Sequence, residues 1–141
     1  FTEYDYVVDA VDTVSAKLDI IERCKDVRVP IISCMGCGNR VDPTKLAIMD
    51  IAKTSMDPLA KVIRKGLKDR QIKDVKVLCS TEEPIVPILP EGGEAEGKGT
   101  ADRVAPGSTP FVPAAAGLVI ASEVVRDLTG FDSRKRTKGG R

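Results

Sequence analysis

Apolar positions follow two periods along this chain. Val7, Val8, Ala10 and Val11, within Tyr4-Asp5-Tyr6-Val7-Val8-Asp9-Ala10-Val11-Asp12, form a short β-branched run that predicts a strand covered on both faces. From Val14 the spacing turns helical. Val14, Leu18 and Ile21 share a face, with Lys17, Asp19, Glu22 and Lys25 among the polar positions, which predicts a helix over residues 13–26. Residues 29–35 read as a second buried strand and residues 46–51 as a third. Asp57-Pro58 is a helix start, with Asp as N-cap and Pro at the first helical position. That helix runs to about residue 69, buries Leu59, Val62, Ile63 and Leu67, and carries Gly66 as a local weakness. Residues 75–79 make a fourth strand, and residues 114–128 an apolar helix suited to packing on a sheet and closed by Gly130.

The alternation of strand and helix predicts an α/β, Rossmann-like fold, with a mainly parallel sheet, flanking helices and right-handed crossovers. Residues 80–110 break the pattern. Five prolines and five glycines there predict a flexible insert, within a domain spanning residues 1–130. The basic tail, residues 131–141, is expected to be disordered. A complete doubly wound nucleotide fold opens with a strand, a Gly-rich turn and a helix. Neither GxGxxG nor GxxxxGK[ST] occurs, so the chain reads as such a fold missing its amino-terminal Gly-rich βαβ half. The start at Phe1, almost directly into a strand and without a signal-peptide pattern, suggests a fragment.

Composition narrows the chemistry. The chain has 141 residues, 42% of them hydrophobic, enough for one domain with a real core. A net charge of +1 leaves partner recognition to local clusters. There is no His, which excludes Ser–His and Cys–His nucleophile pairs within the chain. Trp is absent and aromatic residues are 4%, too few for base-stacking platforms. Cys24, Cys34, Cys37 and Cys79 suit reduced thiols in a cytoplasmic protein. The longest apolar run, residues 111–121, contains Pro113 and is too short to span a bilayer.

In open α/β sheets ligands lie at the carboxyl ends of the strands, beside the next helix. Asp9 and Asp12 occupy that junction, which is therefore read as part of a nucleotide and metal site. Alternatives stand beside each candidate. Asp12 could cap its helix, and Asp9 could be structural or act through a neighbouring group. Lys17 could steady phosphate charge, although a solvated helix lysine is the blander choice. Gly36, Gly38 and Asn39 could line an adenosine pocket or simply make a turn. Lys61, Arg64, Lys65 and Lys68 share a helical stripe, with Arg70, Lys73 and Lys76 following. Seven basic groups so close could hold RNA phosphates or form a solvated face.

An ordered series of motifs resembles a known superfamily. Asp9-Ala10-Val11-Asp12-x-x-x-x-Lys17, Pro30-Ile31-Ile32-Ser33-x-Met35-Gly36-x-Gly38-Asn39 and Asp42-Pro43-Thr44-Lys45 resemble the ThiF/MoeB/ubiquitin-activating superfamily. Asp50-Ile51-x-Lys53-Thr54-Ser55-x-Asp57-Pro58-Leu59-Ala60-Lys61 resembles its tRNA threonylcarbamoyladenosine dehydratase branch, and Ser80 to Pro84 and Pro106 to Leu118 continue the likeness. The resemblance covers nearly the whole chain but only the carboxyl-terminal portion of the family's domain. It implies an ATP-dependent enzyme that adenylates the carboxylate of threonylcarbamoyladenosine in tRNA and promotes its cyclisation with net loss of water. Mg²⁺ and ATP are the implied cofactors, with Asp12 as the metal- and phosphate-site aspartate and Asp9, Lys17, Gly36, Gly38 and Asn39 beside the nucleotide. The implied partners are tRNA, a second copy in a homodimer, and cysteine desulfurases in sulfur transfer. Some relatives bind structural zinc through two CxxC pairs. Cys34-x-x-Cys37 is a single pair, so zinc is not expected. Thioester-forming relatives carry a crossover-loop cysteine, which residues 80–110 lack. Two other functions remain open, adenylation of a sulfur-carrier or ubiquitin-like protein and a noncatalytic interaction fragment.

Overall fold

The computed structural model describes residues 1–88 and 106–131. The centre of the expected flexible insert and most of the basic tail lie outside the described residues. Four strands form one sheet in the order β1 (Val7–Asp9), β2 (Ile31–Cys34), β4 (Lys76–Ser80), β3 (Leu46–Asp50). The pairs β1–β2 and β2–β4 are parallel, with Val8 beside Ile32 and Ser33 beside Val77. β3 runs antiparallel to β4 at the edge. No helix separates β2 from β3, only a loop and a 3-10 turn at Pro43–Lys45. The sheet is mixed at that edge and parallel elsewhere.

Side chains alternate across the strands and divide the core in two. On one face Ile31, Val77 and Cys79 meet Leu18 and Ile21 of α1 (Val14–Asp26) and Ile63 and Leu67 of α2 (Pro58–Asp69). On the other, Ile32 and Leu78 meet Ala116 and Ile120 of α3 (Phe111–Thr129). Gly66 does more than weaken α2. A Cβ there would lie 2.6 Å from Leu18 Cδ1, so the bare backbone lets α1 and α2 approach closely. Asp57 caps α2 as expected, accepting from Ala60 N at 3.0 Å. α1 and α2 are each followed by a residue with left-handed backbone that is not glycine, Arg28 (φ 59°) and Gln71 (φ 59°). α3 begins three residues before the expected start, since Pro113 in its first turn needs no intrahelical N–H partner. Its terminal Gly130 takes φ 64°.

Two expectations need correction. β1 is not covered on both faces: it is the edge strand of this sheet, α3 packs over β2, and Val8 is 48% exposed. α3 buries only the narrow stripe of Val112, Ala116 and Ile120, while Leu118 and Val125 remain exposed.

Candidate active site

A cleft of about 970 Å³ opens at the carboxyl ends of β1 and β2. Its walls are the loop of Met35 to Gly38, the α3 face around Ala116 and Ile120, and the segment of Pro106 to Ser108. Asp12 stands in its lining, exposed. The residue that caps α1 is Thr13, whose side chain makes no capping bond, so the helix-cap alternative for Asp12 is not what the structure shows. Gly36, Gly38 and Lys17 also line the cleft.

Lys17 is not the solvated lysine that helical spacing allows, because only 1% of it is exposed. Its ammonium donates to Asp9 Oδ2 at 3.1 Å, to Ser33 Oγ at 3.4 Å and to the carbonyl of Cys34 at 2.7 Å, which uses all three of its protons. Ser33 Oγ donates to Asp9 Oδ2 at 2.5 Å, and Asp9 Oδ1 accepts from Val11 N at 3.1 Å. Asp9 thus lies behind the lining and ties the end of β1, the first turn of α1 and the end of β2 into one buried unit. The unit sets where the loop carrying Asp12 leaves the strand. The sign of Ser33 in the sequence was a polar residue inside an apolar strand run, where a buried hydroxyl demands a partner.

Asn39 also lies outside the cleft lining, with φ 55°. Its backbone N–H donates to the Gly107 carbonyl at 2.8 Å and its Oδ1 accepts from Gly107 N at 2.7 Å, which pins the Pro106–Ser108 segment to the rim. Asp57 reaches the same wall: besides capping α2 it accepts from Gly36 N at 3.0 Å. A Cβ on Gly36 would come 3.3 Å from that carboxylate.

Arg40 drew no notice in the sequence, yet it is 2% exposed. Its guanidinium donates to the carbonyls of Glu82 and Met56, while Nε has no partner among the described residues. Three thiols surround this region. Cys34 and Cys37 both line the cleft, with sulfurs 3.9 Å apart. The hydrogen bond from Cys34 brings Cys37 down to about 7, with Arg40 and Lys17 assisting against burial and Asp57, and the same bond together with burial pushes Cys34 up. Burial and the Asp57 carboxylate push Cys79 up to about 12.

The basic cluster divides. Lys61, Lys65 and Lys68 are exposed on α2, but Arg64 donates to both the carbonyl (2.8 Å) and hydroxyl (2.7 Å) of Thr54. Arg70 bridges to Asp19 and Glu22 of α1, and Lys76 to Glu123 and Asp127 of α3. The expected group of seven is therefore not one free patch, since three of its members hold other elements together. Among the described residues no helix is long and apolar enough to cross a membrane, and no three acidic, Cys or His side chains gather as a metal site.

No protein-family model matches the chain. Among curated proteins it is 42% identical over 138 residues to the tRNA threonylcarbamoyladenosine dehydratase of Bacillus subtilis, covering 95% of this chain and 54% of that protein. Its structure resembles that of the Escherichia coli enzyme of the same name, TcdA. The complex with ATP gives a TM-score of 0.74 at 28% identity, covering 94% of this chain and 51% of that one. The complex with AMP gives 0.73 at 29% identity, covering 90% and 49%. The chain thus spans about half the length of these relatives.

Proposed function

From a likeness that covers 95% of this chain to the tRNA threonylcarbamoyladenosine dehydratase of Bacillus subtilis, we infer that its cleft is part of the adenylating site of such an enzyme. The substrate is the carboxylate of threonylcarbamoyladenosine in tRNA. That carboxylate would attack the α-phosphate of ATP and expel pyrophosphate, after which an atom of the same threonylcarbamoyl group would attack the activated carbonyl and expel AMP, closing the ring. Ring closure gains from proximity and needs no enzyme nucleophile, in keeping with a chain that lacks His.

The observation that carries this reading is the exposed carboxylate of Asp12 in the cleft lining, at the end of a strand locked from behind by Asp9, Lys17 and Ser33. The donor set fits Mg²⁺ in one way. This ion commonly uses one or two carboxylates together with substrate phosphates and water, and Asp12 offers one carboxylate. Bound there with the nucleotide, Mg²⁺ would neutralise phosphate charge. In this reading Gly36 and Gly38 give the nucleotide close access to backbone. Lys17 and Asp9 hold the wall rather than the ligand, and Asn39 holds the rim.

Exposed Lys61, Lys65 and Lys68 are proposed to meet tRNA phosphates, with Arg64 shaping that face from behind. Free cysteines support a reducing, cytoplasmic setting. A homodimer and a cysteine desulfurase partner are carried into the proposal from the family resemblance alone. The 141 residues contain no Gly-rich phosphate loop, so by themselves they should not catalyse pyrophosphate exchange.

The test is ATP–pyrophosphate exchange dependent on modified tRNA, using the protein that carries this sequence together with a phosphate loop. Asp12→Ala is expected to cut exchange by about 10²-fold or more without unfolding the protein. Unchanged exchange in that variant would remove Asp12 from the mechanism.

A further inference from the structure

The cleft carries a second kind of chemistry in its Cys34–Cys37 pair. Cys34 is the last residue of β2, and Cys37 lies three residues on, between Gly36 and Gly38. Their sulfurs are 3.9 Å apart and a disulfide needs about 2.05 Å, so each sulfur has only about 1 Å to travel. Met35 N donates to the Leu78 carbonyl at 2.8 Å and Gly36 N to Asp57 at 3.0 Å, which anchors the loop before Cys37. Beyond it Asn39 is anchored to Gly107. The free part of the loop is therefore Cys37 with the glycine that follows it. Both thiols face a cleft large enough to admit a small molecule, whereas Cys24 and Cys79 are buried.

We propose that Cys34 and Cys37 form a thiol–disulfide exchange site for low-molecular-weight disulfides, with Cys37 as the attacking sulfur and Cys34 as the resolving one. The division of roles follows from their surroundings. Cys37 sits in the free part of the loop with the Cys34 sulfur within hydrogen-bond reach, and Cys34, Arg40 and Lys17 favour a negative charge there against burial and Asp57. In the first step the Cys37 thiolate attacks one sulfur of the small disulfide, forming a mixed disulfide and expelling one thiolate. In the second, the Cys34 sulfur attacks Cys37, loses its proton to solvent and expels the second thiolate. Two electrons pass from the protein sulfurs to the small disulfide, which leaves as two thiols.

The closed bond would draw the loop toward β2 and alter the wall that Gly36 and Gly38 form. A consequence for nucleotide binding rests on the proposed function of the cleft, whereas the thiol chemistry does not.

The test incubates the native protein with oxidised glutathione. Among the cysteines of this sequence, free thiols should fall from four to two, and peptide mapping should place the disulfide at Cys34–Cys37. Cys34→Ser should instead retain one glutathionyl group on Cys37. A wild-type protein that keeps all four thiols, or a bond that involves Cys24 or Cys79, overturns the proposal, and neither result depends on how the variant folds. Adding Mg-ATP separates the two inferences. Slowed oxidation supports the nucleotide reading of the cleft. Oxidation at Cys34–Cys37 that ATP does not slow leaves the thiol site standing and counts against that reading.

Discussion

The two ends of the parallel strands use charge in opposite ways. At the amino end Lys76 meets Glu123 and Asp127 at 2.9 and 2.5 Å, Tyr6 donates to Asp127 at 2.8 Å, and the side chains of Lys76 and Asp127 are each 34% exposed. At the carboxyl end the Lys17 and Asp9 side chains are 1% and 0% exposed. Water screens the first network, which ties α3 to the sheet at modest gain. The second has no water to fall back on, so each charge depends wholly on its partner. The amino end is a clasp. The carboxyl end is a rigid seat, and the cleft lies above the seat.

Removing one buried partner should expose this difference most sharply. Lys17→Met leaves Asp9 buried without its counter-ion and should cost about 3–5 kcal/mol by urea denaturation. Adding Asp9→Asn to it should recover much of that loss. A single-variant cost under about 1 kcal/mol would mean that water reaches the pair. Asp57→Ala comes next. It removes the α2 cap and orphans the Gly36 N–H, a loss of about 2 kcal/mol in the same assay. Asp127→Asn at the clasp should cost less than about 1 kcal/mol.

The pH behaviour of the two ends should differ too. Burial acts to raise Asp127, but hydrogen bonds from Lys76 and Tyr6 outweigh it and hold the carboxyl below its ordinary value. The stability it contributes is thus present above the ordinary carboxylate range and is lost as pH falls through that range and below. Denaturation midpoints should drop there in the wild type and drop less in Asp127→Asn. Tyr6 is raised well above the usual phenol range by burial and by Asp127, so Tyr6→Phe should leave phenolate absorbance at pH 10 unchanged. At the carboxyl end Cys37, set among Cys34, Asp57, Arg40 and Lys17, should be alkylated with a midpoint near its value of about 7. Cys79, at about 12, should stay unreacted until the protein unfolds.

Legibility in the sequence follows the same divide between local and distant causes. The bounds of α2 could be read almost to the residue because its signals are its own: the Asp57 cap, Pro58 and apolar residues at helical spacing. Val62, expected in the buried stripe, is nevertheless 50% exposed, and Ala60 is buried instead. The junction after β1 was equally plain, since a β-branched run changing to helical period needs only neighbours. Lys17 was misjudged because its spacing marks it polar, while its burial depends on Ser33 and Cys34, sixteen and seventeen residues away. Arg40 left no trace for a similar reason, because it is held by carbonyls of Met56 and Glu82. β3 was recognisable as a strand but not as an antiparallel edge, since pairing partners belong to the assembled sheet.

The most direct test of the central claim, that a magnesium nucleotide sits at the carboxyl end, is amide hydrogen exchange with and without Mg-ATP. It is to be run on the protein that joins this sequence to its phosphate loop. Slower exchange at Val11 to Thr13 and Gly36 to Gly38, with no change beside Tyr6 and Lys76, is the predicted result. Protection confined to the Tyr6–Lys76 end, or none in either region at saturating ATP, would contradict it.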